Sequence, residues 1–295
     1  MLEHIPQNIP NNILENWNID KPISIKKVET GLLNQTFVIR TFDGLFVLQK
    51  LHPAVAIDAS TNNYFHVTQF LLKQGEISQT VLTAKNGQQL IDIDGHKWRL
   101  LKGVEGEVYT ITPNNDVAQQ AGVLLAKFHS SVKNYPEPLQ TSLPMFQYKD
   151  VLEKLNSYES RFLENGNSIA INAFHLLKEN FPKLLLPDNL PQQIIHTDPK
   201  ISNFLFNQSD RGICMIDLDT IQVLSPLYDI GDCIRSICGN AEDDPNNSFD
   251  FDKYNAILKG YNSVEHILSP EEVNLIPHAS QLIMLGLAAR FLNDY

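Results

Sequence analysis

Cysteine is scarce, with three thiols (Cys214, Cys233 and Cys238) in 295 residues. An odd count with no C-x-x-C pair and no histidine at ligand spacing excludes a disulfide framework and a zinc knuckle, leaving reduced thiols. Basic charge is also short: 23 Lys and Arg against 34 Asp and Glu give a net charge of −11. A field of that sign repels phosphate backbones, so neither a general nucleic-acid partner nor an anionic membrane is expected, and any nucleotide site needs local cations or a metal. The start, M-L-E-H-I-P-Q-N-I-P, lacks the basic and apolar regions of a secretory signal. The longest apolar stretch, Leu282–Leu292, is interrupted by Arg290 and falls short of the roughly 18 to 20 residues that span a bilayer. No Walker A sequence occurs, which removes the P-loop nucleotide enzymes. These absences predict a cytoplasmic protein.

With 43% hydrophobic and 19% charged residues the chain is of the globular class, and its length predicts two domains or one domain of two lobes. Its character changes once. From Ile23 to about Val104 it reads as short strands, Ile23–Val28, Thr36–Thr41, Leu45–Leu51, Thr80–Ala84, Gln89–Ile93 and Lys97–Lys102. Asp43-Gly44, Asn86-Gly87 and Asp94-Gly95 tolerate the positive φ of tight hairpins, predicting three antiparallel pairs. Tyr64, Val67, Phe70 and Leu71 recur at helical spacing between Asp58 and Gly75, the one helix of this part. Beyond Gly106 helical stripes dominate, at Val117–Val132, Val151–Leu163 and Ile169–Leu177, around a small β-like insert at Ile194-Ile195, Phe204–Phe206 and Ile213–Ile216. Lys102-Gly103-Val104-Glu105-Gly106 is the expected hinge. The expected fold class is α+β, with an N-terminal lobe over residues 1–103 and a mainly helical C-terminal lobe over residues 104–295. The closing helical run reaches Tyr295 without a Gly, Asn or basic cap, which predicts a natural chain that continues further.

Candidate chemistry begins at His196-Thr197-Asp198-Pro199-Lys200-Ile201-Ser202-Asn203. Asp198 and Asn203 have the D-x-x-x-x-N spacing with which one short loop supplies a base for a hydroxyl proton and a neutral oxygen ligand for magnesium. Fourteen residues after Asn203 the apolar run Cys214-Met215-Ile216 delivers Asp217, where a second magnesium ligand is required. A helix N-cap before Pro199 is the structural alternative for Asp198, and a solvated surface lysine the alternative for Lys200.

The run H-T-D-P-K-I-S-N followed by I-D-L-D-T and Y-D-I-G-D resembles the aminoglycoside phosphotransferase and choline kinase superfamily. Within it the likeness is greatest to the N-acetylhexosamine 1-kinases, whose H-N-D-T-K-x-x-N loop precedes I-D-L-D-T and whose tail, G-x-R-F-L-x-D-Y, is similar to the end of this chain. The resemblance runs from Gly31 to the last residue and implies a protein-kinase-like two-lobed fold using ATP and Mg2+. Asp198 would be the catalytic base, Asn203 and Asp217 the metal ligands, and Lys200 a cation near the transferring phosphate. His196 is read as scaffold, and Asp229 would brace the catalytic loop through backbone N–H groups. Asp219 would support the metal or contact substrate, while Asp232 and Arg235 fall on the helix that follows, where a solvated face is the default. Arg290, a cation inside an apolar run, either reaches the cleft or caps an acidic neighbour.

The upper half of the site is weaker in sequence. Gly31-Leu32-Leu33-Asn34-Gln35-Thr36 resembles the family's G-x-x-N-x-T, which implies Gly31, Asn34 and Thr36 near nucleotide, although a glycine between strands is more often just a turn. Alignment of Phe46-Val47-Leu48-Gln49-Lys50-Leu51 places Lys50 toward the α- and β-phosphates, whereas a slip of one residue turns Gln49 there instead. The usual glutamate partner is absent, since no acid occurs between Ala59 and Gln74. Arg99 to Gly103, with Leu101 at its middle, would offer hinge backbone to adenine. The expected acceptor is a hexose or N-acetylhexosamine phosphorylated at its anomeric hydroxyl, with Asp219, Asp232, Arg235 and Arg290 as suppliers of contacts. Choline, homoserine or an aminoglycoside is the alternative, for which Glu242-Asp243-Asp244 would suit a cation. A non-catalytic binding module on the same fold is the alternative from another class.

Overall fold

The computed structural model describes residues 9–10, 12–28, 34–53, 55–140, 148–157, 159–165, 167–240, 244, 246–264 and 267–294. Five antiparallel strands run in the order β1 (Ser24–Val28), β2 (Gln35–Arg40), β3 (Leu45–Lys50), β6 (His96–Lys102), β4 (Thr80–Val81), and β5 (Ile91–Ile93) also pairs with β6. The Asp43-Gly44 turn joins β2 to β3, and Asp94 and Gly95, at φ of 54° and 72°, join β5 to β6. Asn86-Gly87 also turns, closed by Ala84 N–H to Gln88 O at 2.7 Å, but it pairs no strands with each other. The expected third pair fails because β4 takes the Leu101–Lys102 end of β6 and β5 its His96–Trp98 end, so the two lie one after the other instead of side by side.

Both faces of the sheet are covered. Phe37, Ile39, Phe46, Leu48, Trp98 and Leu100 face Ile9, Ile13 and Trp17 of the segment preceding β1. Val47, Val81 and Leu101 point the other way, toward Tyr64, Val67 and Leu71 of helix α1 (Asp58–Lys73), and this core continues into the helical part of the chain. Strand β6 then leads into Gly103-Val104-Glu105-Gly106. Gly106 is confined: a Cβ there would lie 2.6 Å from Leu205 Cγ and 2.8 Å from Phe206 O.

The second part is built on α2 (Asn115–Val132), α3 (Tyr148–Ser157), α4 (Glu159–Asn165), α5 (Ser168–Leu184), α6 (Pro226–Ile237), α7 (Phe251–Tyr261) and α8 (Pro270–Asp294). The single stripe expected over Val151–Leu163 is divided between α3 and α4. Helices α2 and α7 cross on glycines: a Cβ at Gly122 would meet Ile257 O at 2.2 Å and one at Gly260 would meet Gln119 O at 2.0 Å, so their backbones touch. Helix α8 has the length and apolar character to cross a bilayer, but Ile276, Ala279 and Leu282 enter the main core and Ala289 and Leu292 pack with α3 and α5. Arg290 does not interrupt it; one face of the helix is buried along its length, and Arg290 lies on the exposed side.

Two small hairpin-like pairs sit against these helices, β7 (Gln193–Ile195) with β10 (Gln222–Leu224), and β8 (Phe204–Phe206) with β9 (Gly212–Met215). The latter is closed by Asn207, whose side-chain oxygen accepts from Ser209 and Arg211 N–H at 2.9 and 3.0 Å. Strands β7, β8 and β9 are the β insert that the sequence predicts, and β10, the partner of β7, is an addition to it.

Candidate active site

Strand β7 ends at Ile195, and the loop that His196 opens is braced by α6. Asp229 stands in the first turn of α6, which Pro226 opens and Ser225 caps. Its fully buried carboxylate accepts His196 N–H at 2.6 Å and Thr197 N–H at 2.7 Å, and His129 Nε2–H at 2.9 Å. Tyr261 O–H donates to the other nitrogen of that ring at 2.8 Å. Thr197 takes a left-handed φ of 67°, costly for a β-branched residue. Its hydroxyl donates to Thr220 O at 2.7 Å and Thr220 Oγ1–H returns to His196 O at 3.3 Å, fixing that conformation. His196 is buried scaffold, donating from Nε2 to Ile216 O at 2.9 Å.

Asp198 emerges from this frame half-exposed. Its Oδ2 accepts from Lys200 Nζ at 2.6 Å and from Asn203 Nδ2 at 3.0 Å, and the same amide donates to Asp198 O at 2.8 Å. Both side-chain donors converge on Oδ2, which leaves Oδ1 as the oxygen for a hydroxyl proton. Burial alone would lower the Lys200 ammonium, but Asp198, assisted by Asp217 and Asp232, outweighs it and holds the group above its ordinary value. Lys200 is therefore a fixed positive charge beside the proposed base.

Asn203 and Asp217 are brought together by the β8–β9 pairing and by Ile216 N–H to Asn203 O at 2.9 Å. Asp217 has a left-handed φ of 67°, where the chain leaves β9 for a 3-10 turn, Leu218–Thr220. Burial, then the neighbouring Asp219, raises its carboxyl above the usual range, so an arriving cation would be favoured there. Among the described residues no group of three or more His, Cys, Asp or Glu is set to hold a metal alone. One carboxylate and one amide oxygen fit magnesium, a hard cation that commonly takes one or two protein carboxylates and completes its shell with phosphates and water.

Asp219, two residues on, points to the N-terminal sheet. Arg99 Nη1 and Nη2 donate to its two oxygens at 2.5 and 2.7 Å, and Asn34 Nδ2 donates to Oδ2 at 3.2 Å. Arg99 also donates from Nε and Nη2 to Gln49 Oε1 at 2.8 and 2.7 Å, and its guanidinium lies 4.8 Å from the Tyr64 ring centroid. Burial opposes the Arg99 charge, but Asp219 more than restores it. Strand β3 thus presents Gln49 to this face, opposite Arg99 and Thr36 in the ladder. Lys50 does not face the site: alternation turns it to the other side of the sheet, with Nζ 5.9 Å from the Trp98 ring centroid. Leu101 buries its side chain in the main core, and Gly31 lies outside the described residues.

A model of the phosphotransferase enzyme family APH matches residues 24–255. The chain belongs to that family. The homoserine kinase of Nitrobacter hamburgensis is 25% identical over 281 residues, covering 95% of this chain and 81% of the relative. That of Rhizobium meliloti is 22% identical over 275 residues, covering 93% and 79%. Among solved structures, the amicoumacin kinase hAmiN in complex with AMP-PNP, Ca2+ and Ami aligns with a TM-score of 0.67 at 14% identity, over 95% of this chain and 84% of that one. A microcompartment-associated aminopropanol kinase aligns with a TM-score of 0.67 at 17% identity, over 96% and 91%. The fold of this phosphotransferase is kinase-like, an antiparallel N-terminal sheet followed by a helical C-terminal region.

Helix α6 also carries Asp232 and Arg235, joined by Arg235 Nε–H to Asp232 Oδ1 at 2.7 Å, with Asp232 close enough to act on Asp198 and Lys200. Burial lifts the Asp232 carboxyl from 3.8 to about 6, against the pull of Arg235. Neither residue is on a solvated face, contrary to the default for this helix. Arg290 is exposed, 5.5 Å from the Phe291 ring centroid, on the part of α8 that packs with α3 and α5, and does not join the group. Glu242 and Asp243 lie outside the described residues. A cleft of about 290 Å3 on the N-terminal part, lined by Asp58, Asn62, Gln89 and Lys97 among others, shares no residue with this site. Sequence reasoning missed Arg99 as a site residue, and His129 and Tyr261 in the brace. The available signal for Arg99 was a cation between two apolar residues, Trp98 and Leu100.

Proposed function

We propose that this phosphotransferase moves the γ-phosphate of Mg-ATP to the anomeric hydroxyl of a hexose or N-acetylhexosamine, giving a sugar 1-phosphate. Asp198 orients the acceptor hydroxyl and takes its proton, and Lys200 balances charge beside it. Asn203 and Asp217 would hold magnesium, which when bound draws negative charge from the β- and γ-phosphates. Asn34 and Thr36 border the nucleotide and backbone near Leu101 meets the base, with the lobes meeting at residues 103 and 104.

The observation that carries the acceptor class is charge pairing. Asp198 is matched by Lys200, Asp232 by Arg235 and Asp219 by Arg99. Asp217 makes no ion pair among the described residues, Arg99 acting on it only from its place beside Asp219, and that is the charge a metal would meet. A polycationic acceptor gains little from such a surface, whereas a neutral polyol finds donors and acceptors fixed in place. The motif H-T-D-P-K-I-S-N with I-D-L-D-T supports the same branch. An amino alcohol such as homoserine is the second reading, favoured by the homoserine kinases among the relatives and by the paired Asp232 and Arg235 on α6. The reduced, buried cysteines and use of ATP fit a cytoplasmic setting.

ADP release measured across hexoses, N-acetylhexosamines, homoserine, choline and aminoglycosides tests the reading. Turnover with a sugar, and product NMR with phosphate on the anomeric oxygen, is the expected result. Turnover confined to homoserine, choline or an aminoglycoside refutes the sugar assignment, and no magnesium-dependent turnover with any of them favours the binding-module alternative.

A further inference from the structure

Arg99 is out of place for a strand residue. Its neighbours Trp98 and Leu100 face the outer core, and the Arg99 side chain is 0% exposed. A guanidinium taken from water costs several kcal/mol unless its donors are met and its charge is matched. Both conditions hold here. Two parallel N–H···O bonds reach both oxygens of Asp219, two more reach Gln49 Oε1, and the planar group lies over Tyr64.

The partners belong to separate elements. Gln49 is on β3, Arg99 on β6 and Tyr64 on α1, all in the N-terminal part. Asp219 is 120 residues away in the turn that follows Asp217. Protein kinases tie sheet to helix with an ion pair between a β3 lysine and a helix glutamate. In this chain the helix offers no acid between Ala59 and Gln74 and β3 offers a glutamine, so the buried ion pair runs across the lobes instead. Asn34 adds a third bond to Asp219, while its own Oδ1 accepts His52 N–H at 2.9 Å. An Asp219 carboxylate held this way cannot rotate toward a cation without stranding the guanidinium, which leaves Asp217 as the carboxylate free to do so.

We propose that Arg99 is a positioning residue for phosphoryl transfer: by forking onto Asp219 it fixes the turn that carries Asp217 to the N-terminal sheet and holds the two lobes together before nucleotide arrives. The proposal rests on the kinase reading above. Buried as it is, Arg99 acts through Asp219 and touches no substrate.

The test uses the full chain with Arg99→Lys, which keeps the charge but cannot span Gln49 and both oxygens of Asp219, and Asp219→Asn, which keeps the shape. Mg-ATP affinity is read by calorimetry. The distance between lobes is read without nucleotide by spin labels on Phe42→Cys and Ile169→Cys. Both positions are exposed, and the three native thiols are buried. Loss of a residue that orients a metal ligand typically costs about 10- to 100-fold in metal affinity, so each variant is expected to weaken Mg-ATP binding about tenfold or more and to broaden the distance distribution. The double variant is expected to be no weaker than the worse single one, because the two side chains act as one pair. If Arg99→Lys fails to fold by circular dichroism, Asp219→Asn carries the test. Wild-type affinity and an unchanged distance in the folded variants overturn the proposal alone. Wild-type protein that binds no Mg-ATP overturns the kinase reading and the proposal with it.

Discussion

Asp229→Asn removes one acceptor from the brace beneath the catalytic loop. In the native protein Oδ1 serves Thr197 N–H at 2.7 Å, and Oδ2 serves His196 N–H at 2.6 Å and His129 Nε2–H at 2.9 Å. The asparagine oxygen can take only one of those places. The cheaper choice keeps His196 and His129 and sets the amide NH2 against Thr197 N–H, leaving one donor unmet and two bonds without their ionic character. An unmet donor costs about 1–3 kcal/mol and each weakened charged bond about 0.5–1 kcal/mol more, so about 3 kcal/mol of stability is expected to go. For a chain of this size that lowers the melting temperature by roughly 5–10 °C. The loss falls on Thr197, whose left-handed conformation depends on these bonds and which directly precedes Asp198. A displacement of about 1 Å at the base lowers kcat by about 100-fold, while ATP affinity, set by other residues, should change little. Urea denaturation with steady-state kinetics reads both effects. An unchanged midpoint together with an unchanged kcat would refute the reasoning, since a brace of three bonds cannot be cut without cost.

Further outcomes follow from the same geometry. Asp217→Ala should weaken Mg-ATP binding more than Asn203→Ala, because a carboxylate brings more charge to a cation than an amide does; nucleotide titration with and without magnesium decides, and unchanged affinity in Asp217→Ala would pass the assignment to Asp219. The Asp232 carboxyl, raised to about 6 when folded, binds its proton more tightly folded than unfolded, so its contribution is fully present below about pH 3.8 and is lost as pH rises through about 6. Relative to wild type, Asp232→Asn should therefore gain about 2 kcal/mol between pH 4 and pH 7, and a difference independent of pH in denaturation would count against that burial. Gly260→Ala puts a methyl 2.0 Å from Gln119 O and should cost roughly 1–3 kcal/mol or more by forcing α2 and α7 apart, which thermal unfolding reads directly.

How far the sequence reaches depends on how local each feature is. The arrangement of the loop proposed to be catalytic is legible because its bonds close within the motif: Lys200 and Asn203 both bond Asp198, two and five residues away. Asp217 is legible because one short antiparallel pair delivers it. Strand β3 is different. Phe46, Val47 and Leu48 are all buried, since the sheet is covered on both faces, so apolar alternation gives no phase, and the choice between Lys50 and Gln49 turns on a register that no local pattern marks. The third hairpin failed for a related reason, because β6 is long enough to take two short strands on one edge. The Arg99–Asp219 pair, 120 residues apart, leaves only a cation between two apolar neighbours as its trace. The same kind of trace at Arg290 marks an exposed helix position, so that signal needs the fold to be read.

The central claim is that Asp198 acts on the acceptor and not on the nucleotide. Asp198→Asn, compared with wild type for Mg-ATP binding by calorimetry and for phosphate transfer under the same conditions, tests it most directly. The expected result is near-native binding with transfer abolished; loss of binding and folding together, or transfer at the wild-type rate, would contradict it.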